Sequence, residues 1–333
     1  MDRYRIYSKH LIERYGEKVY KVPVNLPGTC PNRDGAVSHG GCTFCDEEGS
    51  GFECLANTLS IQEQIRKNQA FFRERFGANK FIVYFQAFTN TYKPYAQFIE
   101  EVERAANEED IIGISLSTRP DCINDRYLDF LCQLKTKKKL EVDIELGLQS
   151  VNYHTLSRLN RGHTLAEFLD AVIRIKKRDI RICAHIILNL PGDTELDVVE
   201  NAKIVSALGI DYVKLHSLYI VEKTLLGSQY LDKEFTIISL EEYVARVVTF
   251  LAHLHPDVVV QRLVGKGPKG KLLFSNWDTS WWKIKELIET RLEEGDTYQG
   301  KNCNYLNGKA LRHLEEGFDL QIEEQPDGKI RTI

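Results

Sequence analysis

No stretch of the chain approaches the roughly 20 consecutive apolar residues that a membrane-spanning helix needs. The opening MDRYRIYSKHLIERYG is polar and lacks the apolar core of an export signal. Both absences point to a protein that stays in the cytoplasm. An excess of one charge is also missing. The 44 Lys and Arg nearly balance the 48 Asp and Glu, for a formal net charge of −4. That balance argues against a general nucleic-acid binder and leaves a local basic patch open. No fixed-period repeat and no low-complexity linker is present. No Gly-x-Gly-x-x-Gly follows the first strand-like run, which counts against a dinucleotide-binding fold.

What the chain does have is 333 residues, 43% of them hydrophobic, enough for a large core in one domain with or without an appendage. From residue 18 to 262, short β-branched runs alternate with amphipathic stretches. The strand-like runs are Val19–Val24, Phe81–Phe85, Ile111–Leu116, Val142–Leu148, Ile182–Leu188, Tyr212–Leu218 and Val258–Val260. The helical stretches lie near 61–76, 95–106, 124–134, 164–178, 194–208 and 240–254. Asp193 or Thr194 can cap one of these, and Gly209 ends it. Such alternation predicts βαβ units on a parallel sheet, and six or seven units predict a curved sheet. The expected architecture is α/β: a partial (β/α)6-type TIM-like barrel over residues 18–262, preceded by a segment 1–17. The run Lys135–Lys139 reads as a solvated loop. After residue 263 a loop with Gly265, Gly267, Pro268 and Gly270 leads to Trp277, Trp281, Trp282 and a helix ending near Glu294. Residues 263–333 read as a C-terminal α/β extension packed on the barrel.

Eight cysteines in such a chain read as reduced thiols. Cys122, Cys132, Cys183 and Cys303 are scattered and read as small apolar filler. Cys30, Cys42, Cys45 and Cys54 crowd one Gly-rich segment after the first strand. That position is the C-terminal mouth of the sheet, where barrel active sites are built. Three thiolates can hold three irons of a [4Fe–4S] cube and leave the fourth iron open to a small molecule. Gly35, Gly40 and Gly41 let the loop wrap closely. Other readings remain open. His39 could complete a zinc site with the three sulfurs, Cys54 could be a fourth ligand, or Cys42 and Cys45 could form a redox pair.

Several strands also place polar groups on one face. Asp143, Glu145, Gly147 and Gln149 share a face, opposite Ile144, Leu146 and Leu148. Cys183, His185 and Asn189 fall together with Ile187; so do Lys214 and His216; so do Ser115, Ser117 and Arg119. A structural barrel fills its interior mainly with Val, Ile and Leu. Each unpaired buried polar group costs about 1–3 kcal/mol, so four polar-lined strands predict a cavity holding a polar ligand.

The segments TCPNRDGAVSHGGCTFC, YFQAFTNTY, SLSTRPDCI, IELGLQS, LNRGHT, HIILNLPGDT, VKLHSLYIV, QRLVGKGP and TYQGK run through nearly the whole chain. In that order they resemble the radical S-adenosylmethionine superfamily, and within it the YtqA/YhcC-type family, itself similar to the radical domain of the Elongator catalytic subunit. The resemblance implies a [4Fe–4S] cluster on Cys30, Cys42 and Cys45, although the spacer after Cys30 is longer than the common Cys-x-x-x-Cys-x-x-Cys. It implies S-adenosylmethionine contacts from Gln86, Thr89 and Asn90, where relatives carry a Gly-rich motif. Ser117, Thr118 and Arg119 would lie near the ribose. Glu145, Gln149, Arg161 and His185 would meet polar groups of the cofactor, and Asn189 would line the adenine side.

The resemblance further implies a flavodoxin- or ferredoxin-like electron donor and a tRNA substrate. The implied step removes the carboxymethyl group from wobble carboxymethylaminomethyluridine and leaves the aminomethyl form. Lys214 and His216, which reach the same mouth, and Lys266 and Lys269 in the tail are candidate substrate contacts. The tail sets Lys271, Lys283, Lys285 and Arg291 beside its tryptophans, a pattern suited to phosphate contact and base stacking. A solvated helix with a tryptophan packing face reads the same segment without RNA. A porphyrinogen-like small substrate and a zinc-stabilised RNA-binding adaptor are the competing functions.

Overall fold

The computed structural model describes residues 2–45, 54–265, 267 and 272–312. Its strands are β1 (Val19–Val24), β2 (Lys80–Phe85), β3 (Ile111–Thr118), β4 (Glu141–Gln149), β5 (Arg181–Ile187), β6 (Tyr212–His216), β7 (Ile220–Val221), β8 (Val259–Arg262) and β9 (Leu272–Phe274). Its helices are α1 (Tyr7–Tyr15), α2 (Ile61–Phe76), α3 (Tyr95–Ala106), α4 (Asp125–Lys138), α5 (Tyr153–Arg158), α6 (Leu165–Lys176), α7 (Glu195–Ala207), α8 (Leu225–Leu231), α9 (Leu240–His253) and α10 (Trp281–Glu294).

Seven strands pair in parallel in the order β1-β2-β3-β4-β5-β6-β8, curling into the expected half-barrel. The main core lies between the sheet and its helices. Ile144, Leu146 and Leu148 of β4 are fully buried there with Phe98, Leu128 and Phe168. Removing such side chains from water contributes about 1.5–3 kcal/mol each. Local chemistry starts the helices. Capping boxes on Ser60 and Glu63, Thr164 and Glu167, and Thr194 and Asp197 satisfy the first amides of α2, α6 and α7.

The structure departs from the sequence reading in four places. Lys135, Lys137 and Lys138 form the last turn of α4, not a loop. There the helix dipole favours cations, and Lys135 pairs with Asp179 at 2.7 Å. The last barrel strand runs to Arg262, two residues beyond the apolar run. The short helices α5 and α8 and the antiparallel β7–β9 pair were not legible, being too brief for a periodic signal. The N-terminal segment is α1, which has one buried residue, Leu11. It packs on both β1 and β8, and Ile6 bridges in parallel to Val260. Thus α1 lies across the gap where the half-barrel fails to close.

The chain leaving β1 toward the cysteines is anchored by buried Gln64 of α2. Its Oε1 accepts from Asn25 N at 2.8 Å, and its Nε2 donates to Asn25 O at 2.9 Å and Leu59 O at 3.0 Å. Gln64→Ala would orphan these buried groups and is expected to lower stability by about 2–3 kcal/mol in urea unfolding. An unchanged midpoint would mean that water replaces the amide.

Candidate active site

The loop after β1 is a chain of tight turns. Arg33 N donates to Cys30 O at 2.8 Å, Gly41 N to Asn32 O at 2.8 Å and Cys45 N to Cys42 O at 2.9 Å. A second turn, Asn160 to Gly162 after α5, clasps it. Asn160 Nδ2 donates to Gly41 O at 2.8 Å, Ser38 Oγ to Asn160 Oδ1 at 2.9 Å, and Asn32 Nδ2 to Asn160 O. Gly162 has φ 72°, and a Cβ there would sit 2.1 Å from Asn32 Oδ1. Only glycine permits this approach.

The sulfurs meet donors. Arg161 Nη1 lies 3.3 Å and Asn32 Nδ2 3.7 Å from Cys42 Sγ, and Arg119 Nη1 lies 3.9 Å from Cys30 Sγ. Guanidinium donors favour anionic sulfur, so the loop fits an iron–sulfur cluster held by Cys30, Cys42 and Cys45. It does not fit the zinc alternative. Tetrahedral Zn–S bonds of about 2.3 Å need ligand atoms roughly 3.8 Å apart. Among the described residues, the one such group with all ligand atoms within 4.8 Å is Glu145, Cys183 and His185. His39 is exposed, its ring against Gly35. Cys42 and Cys45 sit in a turn, and Cys54 is partly buried.

Cys30, Cys42 and Cys45 line a cavity of about 810 Å³ that runs into the half-barrel. Of the residues named from sequence, Gln86, Thr89, Ser117, Thr118, Gln149, Arg161, His185, Lys214 and His216 share its wall. Gln149 adopts φ 75° where β4 slips register against β5. Four others stand behind the wall. Asn90 Nδ2 donates to Phe85 O, Ala87 O and Ser117 O at 2.9–3.1 Å. Arg119 forks onto Asp121 and donates to Arg161 O at 2.8 Å. Asn189 Oδ1 accepts from Leu218 N at 2.7 Å. Glu145 is wholly buried. Lys266 and Lys269 lie outside the described residues.

Glu145 organises the interior. Lys21 Nζ lies 2.5 Å from its Oε1; Lys214 Nζ at 2.8 Å and His185 Nε2 at 2.5 Å meet its Oε2. Burial alone would raise this carboxyl, but Lys21, Lys214 and the His185 bond outweigh it and hold it well below the usual range. Burial lowers His185 to about 4, so it donates as a neutral ring. Burial also lowers Lys214, with Arg262 adding to the effect against Glu145. Lys21 is raised instead, because Glu145 and Asp143 together outweigh its burial. Sequence reasoning missed Lys21, Tyr84, Gln261 and Arg262, all on the cavity wall. A lysine within the short apolar strand VYKVPV was the available signal, since parallel barrel strands are otherwise apolar.

Gly147 O accepts from Arg161 Nη2 at 2.8 Å, and a Cβ at Gly147 would lie 2.6 Å from that nitrogen and 2.8 Å from Gln149 Nε2. Gly147→Ala is therefore expected to cost about 1–3 kcal/mol and, by displacing Arg161 from Cys42, to lower the iron and sulfide bound per chain. Normal iron content in that variant would contradict the role given to Arg161. Burial pushes Asp143 up to about 6 despite Lys21. A carboxyl whose folded value exceeds its unfolded value, about 3.9, opposes folding once ionised. The penalty grows from about pH 4 to about pH 6 and is constant above. Asp143→Asn should then be more stable than the wild type at pH 7 by about 1–3 kcal/mol, with the gain vanishing near pH 4 in urea unfolding. Equal stability at pH 7 would refute this.

Comparison with known proteins shows the family. The profile of the Radical SAM superfamily matches residues 26–205, and that of the Radical_SAM C-terminal domain matches residues 210–294. YtqA of Bacillus subtilis is 36% identical over 90% of this chain and 92% of its own length. YhcC of Escherichia coli is 33% identical over 87% and 93%. A more distant relative, the tRNA uridine(34) acetyltransferase of Methanocaldococcus jannaschii, is 22% identical over 68% of this chain and 41% of its own. The fold is similar to that of archaeal Elp3 from Methanocaldococcus infernus, with a TM-score of 0.64 at 18% identity over 84% of this chain. This chain spans 64% of that structure, somewhat under two thirds. No described helix is long and apolar enough to cross a membrane. The three cysteines at the mouth of a half-barrel, and the match over most of its length, place this chain in the radical S-adenosylmethionine superfamily, whose enzymes use a [4Fe–4S] cluster and S-adenosylmethionine.

Proposed function

We propose that this enzyme acts on the C5 side chain of tRNA wobble uridine, converting carboxymethylaminomethyluridine to aminomethyluridine: with S-adenosylmethionine as the two-electron oxidant, the carboxymethyl C–H would be oxidised to an imine, and water would then break its C–N bond, releasing the two carbons as glyoxylate and leaving the amine. The observation that carries the reading is the cavity beneath the cysteine loop. At about 810 Å³ it lies in the upper part of the usual range of ligand pockets, ~300–1,000 Å³, with room for more than one small ligand. The distant similarity to a uridine(34) enzyme supports the choice of substrate.

In this reading Cys30, Cys42 and Cys45 would hold the cluster, and a flavodoxin- or ferredoxin-like protein would be its electron donor. Bound there, the cluster would supply the electron for radical cleavage of S-adenosylmethionine. The chain does the rest. Arg161, Asn32 and Arg119 donate to the sulfurs and offset their charge. Gln86, Thr89, Ser117, Thr118 and Gln149 offer hydrogen bonds on the wall, where S-adenosylmethionine would be oriented. Trp277 is packed against Tyr243 and Phe274, but Trp281 and Trp282 are 42% and 59% exposed at the start of α10. The exposed Trp282 offers a stacking surface for an RNA base, and Lys283 and Lys285, which pair with Glu286 at 2.9 Å and Glu289 at 2.6 Å, follow it.

The test is anaerobic reconstitution with iron and sulfide, followed by dithionite and S-adenosylmethionine. 5′-Deoxyadenosine should form in the wild type and fall to background in Cys42→Ala. With tRNA bearing carboxymethylaminomethyluridine, nucleoside mass spectrometry should show the aminomethyl form appearing. Cofactor cleavage that leaves this tRNA unchanged would sink the substrate, and tight zinc without iron would sink the chemistry.

A further inference from the structure

Two lysine side chains, from β1 and β6, reach the one carboxylate at the centre of the half-barrel. Lys21 Nζ lies 2.5 Å from Glu145 Oε1, and Lys214 Nζ lies 2.8 Å from Oε2. Both residues line the cavity, so either amine can meet a ligand there. Their surroundings set them apart. Burial pulls Lys21 down, but Glu145 and Asp143 together hold it above the usual lysine range. Burial lowers Lys214, and Glu145, shared with Lys21 and His185, does not restore it. Lys214 Nζ also donates to Tyr84 OH at 3.2 Å, which fixes the amine against the wall. A buried amine beside a second ammonium is the arrangement that makes a lysine a nucleophile toward carbonyl and imine carbons.

We propose that Lys214 captures the two carbons of the cleaved group as a Schiff base, so that the aminomethyl product leaves before water acts. This rests on the wobble-uridine reading and deepens it, by naming the group that breaks the C–N bond. The oxidised side chain is an imine of glyoxylate, and in its protonated form it is an electrophile for the neutral Lys214 amine. The lysine nitrogen adds to the imine carbon and a new C–N bond forms. One proton passes from the lysine nitrogen to the uridine-side nitrogen. The old C–N bond then breaks toward that nitrogen, which departs as the amine. A protonated imine of glyoxylate remains on Lys214, and Glu145 Oε2 is placed to neutralise it as it does the ammonium. Water adds to this imine, glyoxylate leaves, and Lys214 returns as an ammonium that gives its extra proton to solvent. No electron moves in these steps. Their sum is still hydrolysis, divided into two easier stages. Lys21 stays charged throughout and holds the other oxygen of Glu145.

The first test needs no turnover. Cluster-loaded, unreduced enzyme is incubated with glyoxylate and cyanoborohydride, and peptide mass spectrometry locates the carboxymethyl-lysine that forms. Lys214 should be labelled about tenfold or more faster than the exposed Lys67 and Lys177. Lys214→Arg keeps a cation beside Glu145 but cannot form the imine, so its label should fall on exposed lysines alone. Labelling that simply follows exposure, or that falls on Lys21 in place of Lys214, would overturn the capture. The wild-type chain decides this by itself should Lys214→Arg fail to fold. Turnover then separates the capture from the uridine reading. Reduced enzyme is given S-adenosylmethionine, cyanoborohydride and tRNA with isotope in its carboxymethyl carbons, and the isotope should appear on Lys214. Aminomethyluridine forming while Lys214 stays free of isotope overturns the capture and leaves the uridine standing. Fast capture of free glyoxylate with the tRNA unchanged supports the Lys214 amine and removes the uridine.

Discussion

The buried carboxylate of Glu145 is the interaction on which the rest of the interior depends. A half-barrel closed at its centre by apolar side chains would have no room for a ligand. Here β1, β5 and β6 each direct a nitrogen at one carboxylate of β4, through Lys21, His185 and Lys214. Removing one partner of such a buried pair typically costs about 3–5 kcal/mol, because the others are left uncompensated. The arrangement therefore ties four strands together by charge where a conventional barrel uses packing. It also keeps a polar cavity open, since charged side chains at this depth resist apolar collapse.

Above that interior, the cysteine loop depends on a distant part of the chain for its shape. The turn from Asn160 to Gly162 supplies hydrogen bonds to Asn32, Ser38 and Gly41, and Arg161 reaches Cys42. Arg161 also donates to Gly147 O, so β4, the turn and the sulfur are one connected unit. A cluster ligand and the polar wall beside it thus share the same anchor. This coupling explains why two glycines, Gly147 and Gly162, stand at contacts too close for any Cβ.

Much of the fold was legible in the sequence. The strands of the barrel and its long helices carry strong periodicity, and the polar faces of β3 to β6 alternate as a lined cavity requires. The cysteine loop was legible because three thiols and three glycines in one short stretch have few chemical uses. What escaped were elements without period: α1, α5, α8 and the β7–β9 pair. Lys21 and Arg262 escaped for another reason. Each is a single charged residue in a short strand, and on sequence alone either face of such a strand can be the wet one.

Residue types and their spacing determined the chemistry: a parallel α/β sheet, a sulfur-rich loop at its mouth and polar side chains turned inward. These are local properties, set by alternation along a strand and by which side chains can ligate iron. Only the tertiary structure decided which polar groups would line the cavity and which would hold it together. Asn90, Arg119, Asn189 and Glu145 carry the same chemistry as their neighbours, yet each is spent on backbone carbonyls, a backbone amide, a carboxylate or buried ammonium groups. Partner choice among chemically equal side chains is a matter of distance across the barrel. That distance comes from strand register and curvature, which no local pattern encodes.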